Sequence, residues 1–325
     1  MSLTIWTNHE LLPGPRARLL AGLAPAGHRL IQAAGSARSV LALGGKDPAL
    51  AGADIAYGQP DPADVLNYPR LRWVALSTAG YTRYDRADFR AALAAKGIPL
   101  TNASAVFADP CAQHVLAQML ALTRNLPAQL RNQDGPREWR YFSDRYTNRV
   151  LTGQDVLLLG FGAIGRRLAE LLAPFGVRLT AHRRTPHGDE GVAVVTGAGL
   201  DAALAAADHV VNLLPDSPAT LGFMSAARLA AMKPGACFYN IGRGSTVDQP
   251  ALIAALASGR VGAAYLDVME PEPLPAADPL WGAPNCFITC HIGGGTGDQD
   301  EKLVAHFLEN LRRFEVGAPL ADRII

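Results

Sequence analysis

The sequence has little of what would send a chain into a membrane, an oxidising compartment or a nucleic-acid complex. Its 325 residues include only four cysteines, Cys111, Cys237, Cys286 and Cys290. They form no C-x-x-C pair and no metal-ligand spacing, so free thiols in a reducing compartment and no bound metal are expected. Cys290, next to His291, is the one candidate for a reactive thiol. No stretch reaches the ~18 uncharged apolar residues of a membrane span. The start, MSLTIWTNHELL, lacks the basic residues and apolar core of a secretion signal. A soluble, cytoplasmic protein is expected. Neither sign of charge is in excess: 30 Lys and Arg stand against 29 Asp and Glu. That balance gives no reason to expect a nucleic-acid or membrane partner. Internal repeats and low-complexity tracts are also missing. At 49% hydrophobic and 18% charged residues the chain can bury a large core, which excludes disorder. The length points to two domains.

What the chain does have is centred on Val156 to Arg184. Four apolar residues, Val156 to Leu159, run into G-x-G-x-x-G at Gly160, Gly162 and Gly165. Ile164, Leu168, Leu171, Leu172 and Phe175 follow at the spacing of one helix face. A second apolar run, Val177 to Ala181, comes next. Strand, tight turn, helix and strand are the context this glycine pattern requires for a dinucleotide. Gly160 allows the turn, Gly162 admits a pyrophosphate, and Gly165 lets the helix pack on the strand. The helix N-terminus offers free N–H groups and partial positive charge to the phosphates.

The first hundred residues show weaker α/β alternation and no such fingerprint. Strands are expected at Leu3–Trp6, Ser39–Leu43 (before a loop at Gly44-Gly45), Asp54–Tyr57, Leu71–Leu76 and Ile98–Leu100, with a helix at Phe89–Lys96 closed by Gly97. A helix from Asp109 to Arg124, with Pro110 near its start, joins the two halves. Leu126 to Thr152 reads as a long irregular arm rich in Arg and aromatics, and such segments commonly form interfaces. Beyond Val156 the alternation is cleaner. Strands are expected at Ala193–Val195, His209–Leu213, Cys237–Ile241, Gly262–Leu266 and Ile288–Thr289, with helices at Leu200–Ala206, Ala226–Met232 and Pro250–Leu256. A last helix, Asp300–Glu315, has no strand left to pair with and is expected to return to the first domain.

Three polar residues follow strands of the second half: Arg243 in NIGRGS, Glu272 in DVMEPEP and His291 in CHIGGG. Ligands of open parallel sheets bind beyond the strands' carboxyl ends. A guanidinium holds a carboxylate bidentately, and a histidine exchanges a proton near neutral pH. A carboxylate bonded to that histidine fixes its tautomer. Together, beside a nicotinamide, they suit hydride transfer to the carbonyl of a 2-oxo acid. Singly, each also reads as a surface charge, a loop residue or a core histidine.

With these motifs, GFGAIG, LLPDSPATLGF, MKPGACFYNIGRGSTVD, LDVMEPEPLP, PLWGAPN and HIGGGT in that order, the chain resembles the D-isomer-specific 2-hydroxyacid dehydrogenases, and within them the glyoxylate/hydroxypyruvate reductase branch. The resemblance implies two Rossmann-like domains with doubly wound parallel sheets and the active site in the cleft between them. Residues 1–101, completed by 293–325, would be the substrate domain, and 102–292 the NAD(P)-binding domain. It further implies that Arg243 binds the substrate carboxylate, that His291 is the general acid in reduction and that Glu272 pairs with His291. Thr78, Ala79 and Gly80 would hold the carboxylate through backbone N–H groups. Gly160, Phe161, Gly162, Ala163, Ile164, Gly165, Leu214, Pro215, Ile241, Asp267 and Gly293 would line the cofactor, with Asp267 near the nicotinamide. A homodimer through the nucleotide domain is implied, with the 126–152 arm in the contact. The sequence departs from the family at Gly80-Tyr81-Thr82-Arg83 and at Gln113, which bears on the choice of substrate. Tyr81, Arg83 and a partner's Trp139 are the candidates for shaping that pocket.

The cofactor follows from the residues themselves. An acid about 20 positions past the first glycine grips the ribose 2′-OH of NAD. Here Arg183 and Arg184 stand there instead, and arginines attract a 2′-phosphate. NADPH in preference to NADH is therefore expected, with NAD as the lesser cofactor. Two further readings stay open. One is a phosphoglycerate dehydrogenase-like enzyme, disfavoured by the lack of a regulatory extension or a phosphate-binding cluster. The other is a non-catalytic dinucleotide sensor, as in the C-terminal-binding corepressors.

Overall fold

The computed structural model of the protein describes residues 2–37 and 45–325. The expected strand Ser39–Leu43 lies outside the described residues, as does Gly44. Contacts divide the chain into two compact units, Met1–Phe107 with Gly295–Ile325, and Ala108–Gly294. The divisions fall a few residues beyond the expected 101/102 and 292/293.

The first unit is built on five parallel strands, β1 (Thr4–His9), β2 (Arg29–Ala37), β3 (Ile55–Gly58), β4 (Trp73–Leu76) and β5 (Leu100–Thr101), in the order β2-β1-β3-β4-β5. Both faces are covered, so adjacent residues enter opposite clusters. Trp6 and Val74 pack with Phe89 and Leu93, while Ile5 and Trp73 pack with Leu19 and Leu23. Burial on both sides is why these strands read as apolar runs rather than as alternation. The terminal helix Gln299–Glu315 inserts Val304, Phe307 and Leu311 into the second cluster. The Phe307 ring stacks on Tyr57 at 4.2 Å and on Trp73 at 5.4 Å.

Three elements here escaped the sequence reading: the helix Pro13–Leu23, strand β2 and the short helix Pro62–Asn67. The helix Pro13–Leu23 contains two prolines and two glycines, so propensity argues against it. Packing holds it: Leu308 of the terminal helix comes so near that a Cβ on Gly22 would meet its side-chain tip at 2.6 Å. Strand β2 is rich in Ala and Gly, with few β-branched residues to mark it.

The long helix spans Ser104–Thr123, five residues earlier than expected, with Pro110 inside it. Its start is set by Asn102 and Asp322, whose carboxyl or amide oxygens accept from the N–H groups of Ser104 and Ala105 at 3.2 and 2.8 Å. The irregular arm expected over 126–152 contains two helices, Leu126–Asp134 and Tyr141–Arg145. Trp139, Phe142 and Tyr146 of this arm are exposed in the single chain.

The second unit carries seven parallel strands: β6 (Asp155–Leu159), β7 (Arg178–His182), β8 (Ala193–Val195), β9 (His209–Asn212), β10 (Ala236–Asn240), β11 (Val261–Leu266) and β12 (Cys286–Ile288). Their order is β12-β11-β10-β9-β6-β7-β8, so the winding reverses between β6 and β9. That reversal opens the crevice in which doubly wound sheets bind nucleotides. The register aligns the carboxyl ends in one row: His182, Leu159, Asn212, Asn240, Leu266 and Ile288 are successive partners. Helices Leu200–Ala206, Ala226–Ala231 and Gln249–Ala257 supply Leu204, Leu229 and Leu252 to one core cluster with Leu157, Val210 and Phe238.

Among the described residues no helix is long and apolar enough to cross a membrane, and no His, Cys, Asp and Glu cluster could hold a metal. The four cysteines are free.

Candidate active site

Every site residue expected in the second unit lies a few positions past the aligned row of strand ends. Gly160 follows β6, Arg183 follows β7, Leu214 follows β9, Arg243 follows β10, Asp267 and Glu272 follow β11, and His291 follows β12. Neighbouring parallel strands run about 4.8 Å apart. One edge of the sheet therefore carries the whole set.

The glycine turn has the form a pyrophosphate needs. Gly160 has φ +98°, which a side chain rarely adopts, and its Cβ would press on the Leu213 carbonyl at 3.3 Å. A Cβ on Gly165 would meet the Gly160 carbonyl at 2.9 Å, which brings the helix onto the strand. Gly162 faces open space, with nothing within 4 Å of a built Cβ. It is the N-cap of the helix Ala163–Leu172, and no side chain caps that end. The first-turn N–H groups, Ala163 and Ile164 among them, are thus left for an anion. Phe161 is buried beneath this turn, with the Arg166 guanidinium over its ring at 5.4 Å.

The Arg243 loop is held by a buried polar network that the sequence reading missed. The Asn212 amide donates to Asn240 Oδ1 at 3.0 Å and to Thr246 Oγ1 at 2.7 Å. The Asn240 amide donates to the Arg243 carbonyl at 3.1 Å. Asparagine at the end of two adjacent strands was the available signal. Gly242 and Gly244 let the backbones close: a Cβ on Gly242 would strike the Leu214 carbonyl at 2.6 Å, and one on Gly244 would strike that of Met269. Leu214 and Ile241 are buried beside this loop, and Pro215 is exposed. The Arg243 side chain donates to the Gly242 carbonyl at 2.6 Å and forms no ion pair among the described residues. Burial lowers its pKa, against the charges of Glu272 and Asp216, but a guanidinium stays protonated.

His291 Nδ1 lies 2.8 Å from Glu272 Oε2. The other carboxylate oxygen accepts the Met269 N–H at 3.1 Å, so the carboxylate cannot turn away. Burial raises the Glu272 pKa, but the bond and charge of His291, the Met269 N–H and the Arg243 charge together bring it below its ordinary value. An ionised carboxylate only accepts, so Nδ1 carries the hydrogen of this bond and Nε2 makes none among the described residues. The His291 backbone is left-handed, with φ +54°. Asp267, 1% exposed, holds it there. Its carboxylate accepts from Thr289 Oγ1 at 2.6 Å and from the N–H groups of Ile292 and Gly293 at 2.9 Å each. Its carbonyl accepts the His291 N–H at 2.8 Å. Tyr265 and His114 extend this network to Thr289, at 2.9 and 3.3 Å. Gly293 is buried against Ile241, Asp267 and His114. Asp267 thus works on the His291 loop from below. Cys111, buried nearby, has its thiol pushed up to about 12 and is inert, while Cys290 is exposed.

Arg183 does not stand free. Its guanidinium meets Glu190 at 2.8 Å and the His187 ring at 3.2 Å. Arg184 and Thr185 are exposed, and Arg184 has no partner among the described residues.

In the first unit, the loop after β4 turns through Thr78, whose hydroxyl donates to the Gly80 carbonyl at 2.7 Å. Asn102 donates to the Ala79 carbonyl at 2.7 Å. The carbonyls are thereby engaged, while the N–H groups of Thr78, Ala79 and Gly80 have no partner among the described residues. Arg83 is turned to Gln59 at 3.2 Å and lies over the Tyr84 ring.

Comparison with known proteins finds relatives over most of the chain. The family model for the D-isomer specific 2-hydroxyacid dehydrogenase NAD binding domain matches residues 116–293. Glyoxylate/hydroxypyruvate reductase B of Citrobacter koseri is 34% identical over 248 residues, 75% of this chain and 74% of that protein. D-3-phosphoglycerate dehydrogenase of Mycobacterium tuberculosis is 31% identical over 79% of this chain, which spans about half, 47%, of that longer protein. A crystal structure of a D-isomer specific 2-hydroxyacid dehydrogenase from Xanthobacter autotrophicus Py2, in complex with NADPH and MES, superposes with TM-score 0.82 at 30% identity, covering 100% of this chain and 98% of that one.

Proposed function

The chain belongs to the D-isomer specific 2-hydroxyacid dehydrogenases, an NAD(P)-dependent oxidoreductase family, and on that footing we propose that it is an NADPH-preferring reductase of small 2-oxo acids of the glyoxylate and hydroxypyruvate type, giving D-2-hydroxy acids. The observation that carries this is the His291–Glu272 pair, 2.8 Å apart, on the same sheet edge as Arg243, whose guanidinium forms no ion pair among the described residues. The glycine turn, the uncapped helix and the exposed Arg184 fit a dinucleotide with a 2′-phosphate. When bound, the cofactor supplies hydride.

The chain's own residues do the rest. Arg243 would take the substrate carboxylate in its fork and draw electron density from the neighbouring carbonyl. The N–H groups of Thr78, Ala79 and Gly80, with no partner among the described residues, would offer donors to a carboxylate. His291 Nε2 would give its proton to the carbonyl oxygen as the alkoxide forms, and Glu272 would stabilise the imidazolium needed for that. In the oxidative direction the same nitrogen takes the proton back. The relatives' names support this substrate class, and the NADPH in the Xanthobacter structure supports the cofactor. A homodimer through the exposed aromatic arm, 126–150, completes the reading.

The test is one panel: glyoxylate, hydroxypyruvate, pyruvate, phenylpyruvate and phosphohydroxypyruvate, each with NADPH and NADH. Fastest turnover of the two smallest hydroxylated or hydrated acids with NADPH is expected. Preference for phosphohydroxypyruvate would move the assignment to the phosphoglycerate branch. Unimpaired turnover by His291→Ala would sink the mechanism, and no turnover of any acid would leave a sensor.

A further inference from the structure

The loop after β7 is organised by one side chain, Glu190. Its carboxylate accepts the His187 N–H at 2.7 Å, the Gly188 N–H at 2.9 Å and the Arg183 guanidinium at 2.8 Å. The side chain is only 3% exposed, and these donors bring its pKa down to about 2. A second latch lies outside it: Asp189 pairs at 3.0 Å with Arg166, a residue of the helix that the glycine turn opens. The segment 183–190 is therefore closed on itself and tied to the phosphate-binding helix. Arg183 is an internal strut, 16% exposed in its side chain. Arg184 is the cation left facing solvent without a partner among the described residues.

We propose that Glu190 is the positioning residue for the cofactor's 2′-phosphate: by locking Arg183 beneath the loop it leaves Arg184 as the discriminating cation. The inference rests on the NADPH reading and divides the labour within it. Two effects of Glu190 oppose each other. Its negative charge disfavours a phosphate nearby, whereas its three bonds hold the loop that presents Arg184. The charge is buried and already met by a guanidinium and two N–H groups, so little of it reaches solvent. The ordering effect is then the larger, and removing the charge weakens phosphate binding.

The experiment is titration calorimetry of the full-length protein with 2′,5′-ADP and with 5′-AMP. Wild type is expected to bind 2′,5′-ADP at least tenfold more tightly than 5′-AMP. Arg184→Ala should erase most of that ratio. Glu190→Gln should lower affinity for 2′,5′-ADP about five- to tenfold and leave 5′-AMP within twofold, a split that a general loss of structure does not produce. If Glu190→Gln does not fold, Arg183→Met removes the same strut and should reduce the ratio alike. Equal binding of the two probes by wild type overturns the NADPH reading and the proposal with it. A clear wild-type ratio that Glu190→Gln leaves unchanged, or increases, overturns the proposal alone.

Discussion

Replacement of Glu272 by glutamine separates charge from shape at the proton-transfer site. The two carboxylate oxygens serve two N–H donors, His291 Nδ1 at 2.8 Å and the Met269 backbone at 3.1 Å. An amide has one oxygen and one NH2, so it can accept from only one of them and must turn a donor on the other. The side chains are 15% and 26% exposed, so solvent screens the pair only in part. A hydrogen bond to a charged group contributes about 1.5–3 kcal/mol. At about 1.4 kcal/mol per factor of ten, kcat/KM for reduction falls by about 10- to 150-fold. The assay is steady-state NADPH oxidation with glyoxylate. In a His291→Asn background the same change should cost less than about threefold, because the carboxylate acts through the ring. A loss under threefold in the parent, or an undiminished loss in the His291→Asn background, refutes the reasoning.

His209 and Gly244 offer tests that do not depend on the substrate. At the start of β9, burial outweighs the charge of nearby Asp208 and lowers the His209 pKa from 6.5 to about 4, with both ring nitrogens satisfied by Tyr239 and Gln154 at 3.0 and 2.6 Å. A base with a depressed folded pKa makes the unfolded chain the better proton acceptor between those values, so stability is full above pH 6.5 and lost on acidification toward 4. The loss reaches about 3 kcal/mol, and urea midpoints should fall over that interval in the parent but much less in His209→Gln. Gly244→Ala would drive a methyl into the Met269 carbonyl, whose residue also donates to Glu272. A destabilisation of about 1–3 kcal/mol in thermal melts is expected, with a fall in kcat/KM as the Arg243 loop shifts. An unchanged melting temperature would show that the turn can yield.

The second unit was legible because parallel strands buried on both faces are nearly unbroken apolar runs, as in Val156–Leu159 and Val261–Leu266. Arg243, Glu272 and His291 stood out because each follows such a run in a glycine- or proline-marked loop. The network beneath them was not legible. Asn212 meets residues 28 and 34 positions away, a pairing that only the sheet order creates. Glu190 was missed for the opposite reason: its partners are two to seven residues away, and from sequence a glutamate in such a loop is indistinguishable from a solvated one. Helix Pro13–Leu23 was hidden by its own prolines and glycines, since its stability comes from Leu308 and the sheet rather than from propensity. Arg183 stands at the position expected of a 2′-phosphate ligand, but position alone did not reveal its bonds to Glu190 and His187.

The left-handed backbone at His291 has a consequence on a longer timescale than turnover. A residue other than glycine held at positive φ costs of order 1–3 kcal/mol, and glycine tolerates that geometry better than histidine. Stability and chemistry therefore pull in opposite directions at this one codon. In a lineage released from the need to reduce an acid, but still required to fold and bind nucleotide, drift has a downhill path away from histidine here. The identity of residue 291 in a descendant would then record whether that lineage had been kept as a catalyst or had been retained for its fold alone.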